Sequence, residues 1–304
     1  EQRSLLDLPT AGLGPFDYVD CCGVLHHLPD PVAGLRALAS VLAPGGGIGL
    51  MVYAPHGRTG VYMLQDALRR LAPPDESPAA RLDVARRVMR HLPETAWIRL
   101  NRSFDDHLNG GDAGLYDLLL NPRDRAYTVP QLATLLESAD LRPACWVEPL
   151  RYDPAPLLPD PKLRARLDGL DPTGRAALAE SLAGNMAVHI VYCVRAQDPH
   201  APADPYAPDA VPVTREMPGT HIADAIQRDG TLAMNFDGLR LPVPLPPLAA
   251  PILRLIDGAR SVSEIAATLA ERGTGPEAFD RAWRATYPRL EAINRLLLAP
   301  PRAG

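Results

Sequence analysis

The sequence lacks several features that would identify a class of protein at once. It has no apolar run near the ~18 residues of a membrane-spanning helix, and no segment resembling a signal peptide. Its four cysteines include no C-x-x-C pair, which argues against a zinc site. Because they stand in apolar, strand-like runs, we expect reduced and buried thiols. Together these absences predict a cytoplasmic protein without a metal or a membrane contact.

The sequence also has fewer basic than acidic residues. Thirty-six acidic residues outnumber 31 basic ones, lysine occurs only at Lys162, and the formal net charge is −5. A mildly acidic chain is a poor match for nucleic acid or for an anionic membrane. The segment from Gly219 onward has nearly balanced charge, which disfavours transcriptional regulation through DNA binding. We therefore expect neither nucleic acid nor membrane among its partners.

A glycine-rich nucleotide loop is missing as well. The glycine cluster Gly45-Gly46-Gly47 stands before an apolar strand and not between a strand and a helix. A phosphate-binding loop needs the second arrangement, in which the glycines open a helix. We therefore interpret this cluster as a turn.

The clearest pattern that is present is a βαβ unit within the first 54 residues. The residues from Asp17 to a tip at Cys22-Gly23-Val24 are typical of a buried strand, a helix is predicted from Val32 to Leu42, and a second strand from Ile48 to Ala54. Such units build parallel sheets, whose ligands lie at the carboxyl ends of the strands. The segment between Cys21 and His27 is therefore where chemistry is expected.

At these residues the chain resembles a known family. The runs FDYVDCCGVLHHLPDP (residues 16–31) and LASVLAPGGGIGLMVY (residues 38–53), with the later NPRDRAYTVPQL (residues 121–132), resemble the second half of a class I S-adenosylmethionine-dependent methyltransferase domain. The resemblance extends from Ser4 to Arg195 and implies that S-adenosylmethionine is the cofactor. The family's glycine-rich loop and its acidic strand end have no counterpart here. The sequence is therefore expected to be a fragment of the catalytic domain, inactive alone.

The resemblance also implies which residues hold the cofactor. Cys22 and Gly23 correspond to positions beside the methionine part, and a glycine lets backbone approach a ligand closely. The segment Ser4 to Pro9 resembles the end of the family's third strand, and within it Ser4 and Leu5 correspond to positions beside the adenine. The alternative is that Cys22 belongs to the core and that Gly23 only turns the chain.

Candidate catalytic and substrate-binding residues surround the same strand ends. A histidine with a pKa near neutrality can deprotonate an oxygen or nitrogen nucleophile, but adjacent histidines cannot both face one site. The alternative is that one histidine packs and the other is solvated; the remaining candidates could equally be packing or surface ion-pair residues. The catalytic candidates are His26, His27 and Tyr53, and the substrate candidates are His56, Tyr116, Asp124 and Tyr127, with Arg58 and Arg123 nearby.

Composition divides the chain into three parts. By the resemblance, residues 1–197 are predicted to form a partial methyltransferase domain, in which residues 56–127 are a helical lid insertion. Residues 198–218 are rich in proline and predict an extended linker. Residues 219–304 predict a small helical module, winged-helix-like or peptide-binding, with a hairpin from Thr231 to Val243 and a capping box at Ser261.

Helices and a final strand are predicted around these parts. The insertion is expected to contain helices from Val61 to Leu71 and from Ala79 to Leu92, and a less regular one from Trp97 to Leu108. Thr128 is expected to cap another helix. By the resemblance, the apolar run from Met186 to Val194 is the family's last strand, which inserts antiparallel into the sheet.

These observations predict an α/β fold: a partial doubly wound, Rossmann-like sheet with a helical insertion, followed by a small, mainly α-helical module. The function they favour is S-adenosylmethionine-dependent transfer of a methyl group to a small-molecule, protein or peptide acceptor that the sequence does not identify. The alternative, motivated by the missing glycine loop, is a noncatalytic binding or regulatory protein built on a methyltransferase-like half-sheet.

Overall fold

A computed structural model describes residues 3–101, 111–199 and 202–300. The chain divides into two compact units, one made of residues 1–146 and 157–199, the other of residues 147–156 and 200–304. The domain boundaries predicted from composition remain predictions beside this division. The elements of the first unit are β1 (Phe16–Cys22), α1 (Pro31–Ser40), β2 (Leu42–Tyr53), α2 (Val61–Leu71), α3 (Pro78–His91), α4 (Trp97–Leu100), α5 (Gly111–Leu120), α6 (Val129–Glu137), β3 (Leu141–Trp146), α7 (Pro161–Arg164), α8 (Pro172–Ala183) and β4 (Val188–Arg195).

The first unit contains a four-stranded mixed sheet in the order β1-β2-β4-β3. Strands β1 and β2 are parallel, and β4 runs antiparallel to both β2 and β3. The antiparallel insertion expected for the last strand is thereby confirmed, as is the mixed α/β class. Because β1 and β2 point the same way, their carboxyl ends at Cys22 and Tyr53 lie at one edge of the sheet.

Strand β1 is less buried than its apolar sequence suggests. Only Cys21 is buried in it, while Tyr18 is 53% exposed. In the described part of the chain, β1 pairs with β2 alone and is an edge strand. The prediction of a buried strand is therefore wrong for the side chains that face away from the core.

Strand β2 begins earlier than predicted, at Leu42. The glycine cluster forms an irregularity inside this strand, between the pairs Phe16–Leu42 and Tyr18–Gly47. Gly45 has a φ of +74°, which a glycine adopts without strain. A Cβ on Gly46 would lie 2.9 Å from the carbonyl oxygen of Phe16, so the two backbones meet without room for a side chain.

One face of the sheet carries the main core of the first unit. Ile48, Leu50 and Val191 of the sheet are fully buried with Leu35 of α1 and Leu132 of α6. Apolar side chains at every second strand position and at helical spacing produce this packing. Helix α6 begins as predicted, since Thr128 and Gln131 form a capping box.

The helical insertion has a core of its own. Val61 and Leu68 of α2 pack with Ala85 of α3 and Leu119 of α5. The first two predicted helices are confirmed within one residue at each end, and α4 covers the start of the third. The remainder of that third prediction, residues 102–108, lies outside the described residues.

The second unit combines short strands with four helices among its described residues. The predicted hairpin is present, and Ser261 and Glu264 form the predicted capping box. Part of the proline-rich segment is ordered as a strand that pairs with the last strand. The elements are β5 (Pro212–Thr214), α9 (Gly219–Ala225), β6 (Thr231–Phe236), β7 (Leu239–Pro244), α10 (Ala249–Leu253), α11 (Val262–Ala270), α12 (Pro276–Glu291) and β8 (Leu296–Leu298).

The four cysteines are all free, but they are not alike. Cys21 and Cys193 are buried, whereas Cys22 and Cys145 are exposed. The prediction of buried thiols is therefore wrong for two of them, because side chains alternate between the faces of a strand and only one face is covered. Within the described ranges, no helix combines the length and the apolar character needed to cross a membrane.

Candidate functional site

The candidate site lies at the sheet edge where β1 and β2 end. Gly23 follows β1 with a φ of +73°, and its N–H donates to the carbonyl oxygen of Met51 at 3.3 Å. This left-handed turn directs the chain into a short 3₁₀ helix, Leu25–His27. The two histidines are thereby placed against Tyr53 at the end of β2, which is where a parallel sheet holds its ligand.

His26 is the most unusual side chain of this group. It is 1% exposed, and its ring centroid lies 3.9 Å from that of Tyr53 and 4.2 Å from that of His27. Neither ring nitrogen has a hydrogen-bond partner among the described residues. Burial first, then His27 and Arg58, lower the pKa of His26 to about 4 against the opposing effect of Asp117. The imidazole is therefore neutral at neutral pH, with one nitrogen lone pair unused.

Arg58 and Asp124 form a buried ion pair beside this histidine. The guanidinium carbon of Arg58 lies 3.8 Å from the ring centroid of Tyr53, and Nη2 donates to Asp124 Oδ2 at 2.8 Å. Gln65 Nε2 donates to the same oxygen at 2.7 Å. Asp124 Oδ1 is buried and has no partner among the described residues. A carboxylate oxygen in that state is available to a donor from a ligand.

His27 has a defined partner. Its Nδ1 lies 2.6 Å from the carbonyl oxygen of Arg123, and Asn121 Nδ2 lies 3.2 Å from the same nitrogen. Because a carbonyl oxygen accepts, the short contact favours a proton on Nδ1. His27 therefore attaches the turn after β1 to the segment after α5. Neither ring nitrogen of its neighbour His26 has a partner within the described residues.

Tyr53 contributes a hydroxyl that keeps its proton. Burial raises the pKa of this phenol, and the nearby carboxylate of Asp117 raises it further. The hydroxyl donates to Asp117 Oδ2 at 3.4 Å. Tyr53 is thus a hydrogen-bond donor and a flat surface for the His26 ring. Because its phenol stays protonated, no phenolate is present to act as a base.

A cavity of about 310 Å³ opens beside these groups. His26 and Asp124 both line it, so two side chains whose buried polar atoms lack a partner among the described residues share one cavity. The cavity is large enough for a small polar molecule or for one side chain. The other residues that line it are Leu28, Pro29, Pro122, Arg123 and Arg125.

The predicted substrate residues have different surroundings. Asp124 lines the cavity just described, and the N–H of Tyr127 donates to the carbonyl oxygen of Tyr53 at 2.8 Å. The buried Tyr127 hydroxyl has no partner in the described ranges, and Tyr127 is among the residues that line a separate cavity of about 500 Å³. His56 is half-buried in the turn after β2. The Tyr116 hydroxyl accepts from Arg81 Nη1 at 2.9 Å, a contact inside the helical insertion.

Of the predicted cofactor residues, Cys22 and Gly23 lie at this edge, while Ser4 and Leu5 stand in a segment whose local structure differs from the one expected. Cys22 is exposed and Gly23 makes the turn described above. The strand expected over Ser4 to Pro9 is instead a 3₁₀ helix, Leu5–Thr10, which Ser4 caps by accepting from the N–H of Leu6 at 3.3 Å. Proline has no N–H for a strand ladder, which disfavours a strand ending there. Leu5 is half-buried against the sheet core.

Sequence reasoning missed Gln65, Asp117 and Asn121, which hold this cluster together. Gln65 is 1% exposed and stands at a position of α2 where Val61, Leu64 and Leu68 define the buried face. A polar residue inside an apolar stripe is a usable signal, because buried amides need partners. Asp117 and Asn121 gave no comparable signal.

The known proteins of similar sequence match only part of this chain. No protein-family model matches the chain. An uncharacterised protein of Synechococcus sp. is 33% identical over 189 residues, which is 60% of this chain and 44% of that protein. The ubiquinone biosynthesis O-methyltransferase of Xanthomonas axonopodis pv. citri is 50% identical over 44 residues, 14% of this chain and 18% of that enzyme. The chain thus spans less than half the length of the curated relatives it matches.

A solved structure resembles nearly the whole chain. PKMT2 from Rickettsia typhi in complex with AdoHcy superposes with a TM-score of 0.65, covering 98% of this chain and 61% of that one, at 14% sequence identity. A second solved structure of PKMT2 from Rickettsia typhi gives a TM-score of 0.62. The chain therefore shares its mixed α/β fold with PKMT2, a protein whose structure was solved with AdoHcy.

Proposed function

We propose that this chain belongs to an S-adenosylmethionine-dependent methyltransferase and contributes the side of the active site that binds the methyl acceptor. One observation carries the proposal: a buried, unpartnered His26 faces a cavity at the carboxyl ends of parallel strands, in a fold shared with an AdoHcy-bound protein. The local match to O-methyltransferases supports the same reaction class.

The residues present are suited to one end of the cofactor. At Gly23 the backbone turns with no side chain in the way, and Cys22 precedes it on the exposed face of β1. We assign these two residues to the methionine part, and Ser4 and Leu5 to the adenine side. The cofactor supplies a methyl group on a sulfonium, which makes the methyl carbon electrophilic. The chain's own residues then orient the acceptor and exclude water.

The turn at Gly23 gives a direct test of cofactor binding in the complete natural protein. Gly23→Val should weaken AdoHcy binding at least tenfold by calorimetry, because a β-branched side chain stands where backbone meets the ligand and strains a positive φ. Gly184→Val is the matched control. Gly184 also has a positive φ, +65°, and lies at the end of α8 with open space around it.

Both variants carry similar backbone strain, so their melting temperatures should fall together. Only Gly23→Val should lose affinity for AdoHcy. Equal affinity in the two variants would remove Gly23 from the cofactor site. If the unaltered protein produces no binding heat with AdoHcy, the noncatalytic alternative is favoured.

Transfer itself is tested with S-adenosylmethionine labelled on the methyl group. The complete protein should move label into a cell extract, and separation of the extract into small molecules and macromolecules before the assay identifies the acceptor's size class. Label that stays on the cofactor in both fractions would exclude a methyltransferase activity on the acceptors present.

A further inference from the structure

Two buried polar side chains in the cavity beside β1 and β2 have atoms without partners. Both ring nitrogens of His26 and one carboxylate oxygen of Asp124 make no hydrogen bond within the described part of the chain. The Asp124 side chain is fully buried, and His26 is only 1% exposed. Buried polar groups are normally paired, so an unpaired set in one cavity indicates a ligand.

The charges around the cavity indicate what kind of ligand it accepts. Arg58 is buried beside it, and Arg123 and Arg125 are on its wall. The negative charges near the cavity are those of Asp124, which is already paired with Arg58, and of Asp117. The surroundings that keep His26 neutral also disfavour a bound cation, such as an ammonium group. A neutral or anionic molecule is the better match.

We infer that His26 accepts the proton of a hydroxyl group on a neutral or anionic methyl acceptor that occupies this cavity. The inference rests on the proposed function and names its substrate class. Asp124 Oδ1 then accepts a hydrogen bond from a second donor on the same molecule. His26 is a catalytic residue in this assignment, while Arg58 and Gln65 position Asp124 through its other oxygen.

The transfer step balances in atoms and charge. The acceptor oxygen forms a bond to the methyl carbon while the carbon–sulfur bond breaks, and the electron pair of that bond stays on sulfur. The hydroxyl O–H bond breaks, and its proton moves to the free nitrogen of His26. The imidazolium then loses the proton to solvent, which restores the neutral ring. No oxidant, reductant or metal takes part.

The low basicity of His26 is compatible with this role. The pKa of about 4 comes first from burial, then from His27 and Arg58, with Asp117 acting in the opposite direction; Tyr53 packs on the ring. A hydroxyl becomes strongly acidic only as its oxygen bonds to carbon, so a weak base suffices late in the step. The neutral form of His26, which can accept the proton, prevails above pH 4. The transfer rate should therefore fall as the pH drops through that value.

The experiment uses the complete protein, methyl-labelled S-adenosylmethionine and a small-molecule extract, with His26→Gln as the variant. Initial rate should fall at least 100-fold, within the 10²–10⁴ range that a general base contributes. AdoHcy affinity should stay within about twofold, since glutamine keeps the hydrogen-bonding capacity without the basicity. His91→Gln, at an exposed position of α3, should leave both quantities unchanged.

The bond in the labelled product is the second readout. Hot hydriodic acid releases an O-methyl group as volatile methyl iodide, and an N-methyl group resists the same treatment. Volatile label supports the inference, and label retained on nitrogen overturns it. A His26→Gln rate within threefold of the unaltered rate overturns it too. If the unaltered protein transfers nothing but binds AdoHcy, the proposed activity itself fails.

A third readout does not depend on turnover or on the variant's yield. In a protein labelled with ¹⁵N histidine, the nitrogen shifts of His26 at pH 6 should be those of a neutral ring. Imidazolium shifts at pH 6 would contradict the assignment.

Discussion

Cys22 and His26 lie four residues apart in the sequence, and their different surroundings decide the chemistry of each side chain. Cys22 is on the exposed face of β1, and its Sγ–H donates to Asp20 Oδ1 at 3.0 Å. Partial burial, followed by this hydrogen bond and the charge of Asp20, raises the pKa of Cys22 to about 11. The thiol next to the proposed cofactor turn is therefore protonated and a poor nucleophile.

Alkylation kinetics test this residue-scale statement. Near pH 8, a pKa of about 11 leaves roughly a thousandth of Cys22 as thiolate, against about a tenth for an ordinary thiol at 9.0. Iodoacetamide should therefore modify Cys22 about 100-fold more slowly than an unperturbed thiol. Asp20→Asn should speed the reaction roughly tenfold, because it removes the acceptor carboxylate and its charge.

Asp17→Asn is the matched control, since Asp17 is exposed on the opposite face of the same strand. Fragmentation mass spectrometry separates Cys22 from the buried Cys21. Equal rates in the two aspartate variants would show that Asp20 does not control the thiol.

Single residues also mark the limit of sequence reasoning at the site. Asp124 and His26 could be named from the resemblance and from the βαβ pattern. Their unpartnered state could not, because it depends on Gln65 and Arg58, which occupy one oxygen of Asp124 and leave the other free. Which oxygen of a carboxylate stays free is set by long-range packing.

At the scale of elements, caps and helix spacing were the reliable signals. The capping boxes at Thr128 and Ser261 begin their helices as predicted, because side-chain oxygens satisfy the free N–H groups of the first turn. The start of β2 was misplaced, since proline and glycine suggested a turn where the strand bends around an irregularity. The 3₁₀ helix after Ser4 was taken for a strand because its six residues are too few to show a helical period.

The helical insertion depends on a buried arginine. Arg81 of α3 is 5% exposed and donates to the carbonyl oxygens of Ala72 and Leu120 and to the hydroxyl of Tyr116. It thus joins α3 to the end of α2 and to α5. One guanidinium satisfies three acceptors, two of them carbonyls at helix ends that otherwise lack a partner.

Arg81→Ala should destabilise the first unit by roughly 3 kcal/mol in urea denaturation, because it leaves buried acceptors unsatisfied. Arg87→Ala on the same helix should change stability by less than about 0.5 kcal/mol, since its ion pair with Asp83 is exposed. If both substitutions cost equally little, the insertion is not held together by Arg81.

At the scale of the whole molecule, the sheet was predictable and the site only in outline. The sequence pattern predicts the parallel pair β1–β2, and the resemblance predicts the antiparallel β4. Together they locate the edge of the sheet at which the ligand is proposed to bind. The composition of the cavity was not predictable. Its two walls are the turn after β1 and the segment after α5, which are about 95 residues apart in sequence and meet through contacts such as His27 with Arg123.

The relatives set the scope of the functional proposal. PKMT2 covers nearly all of this chain, while this chain covers 61% of PKMT2 and 44% of the Synechococcus protein. In the proposed function, the described residues contribute the acceptor side and one end of the cofactor site. Activity is accordingly proposed for the complete natural protein.

A structure of that complete protein with AdoHcy bound is the most direct measurement. We predict the ligand at the carboxyl ends of β1 and β2, its homocysteine part against the backbone of Gly23 and its sulfur facing the cavity that His26 and Asp124 line. AdoHcy bound at any other edge of the sheet, or a cavity filled by another segment of the protein, would contradict the assignment of this site.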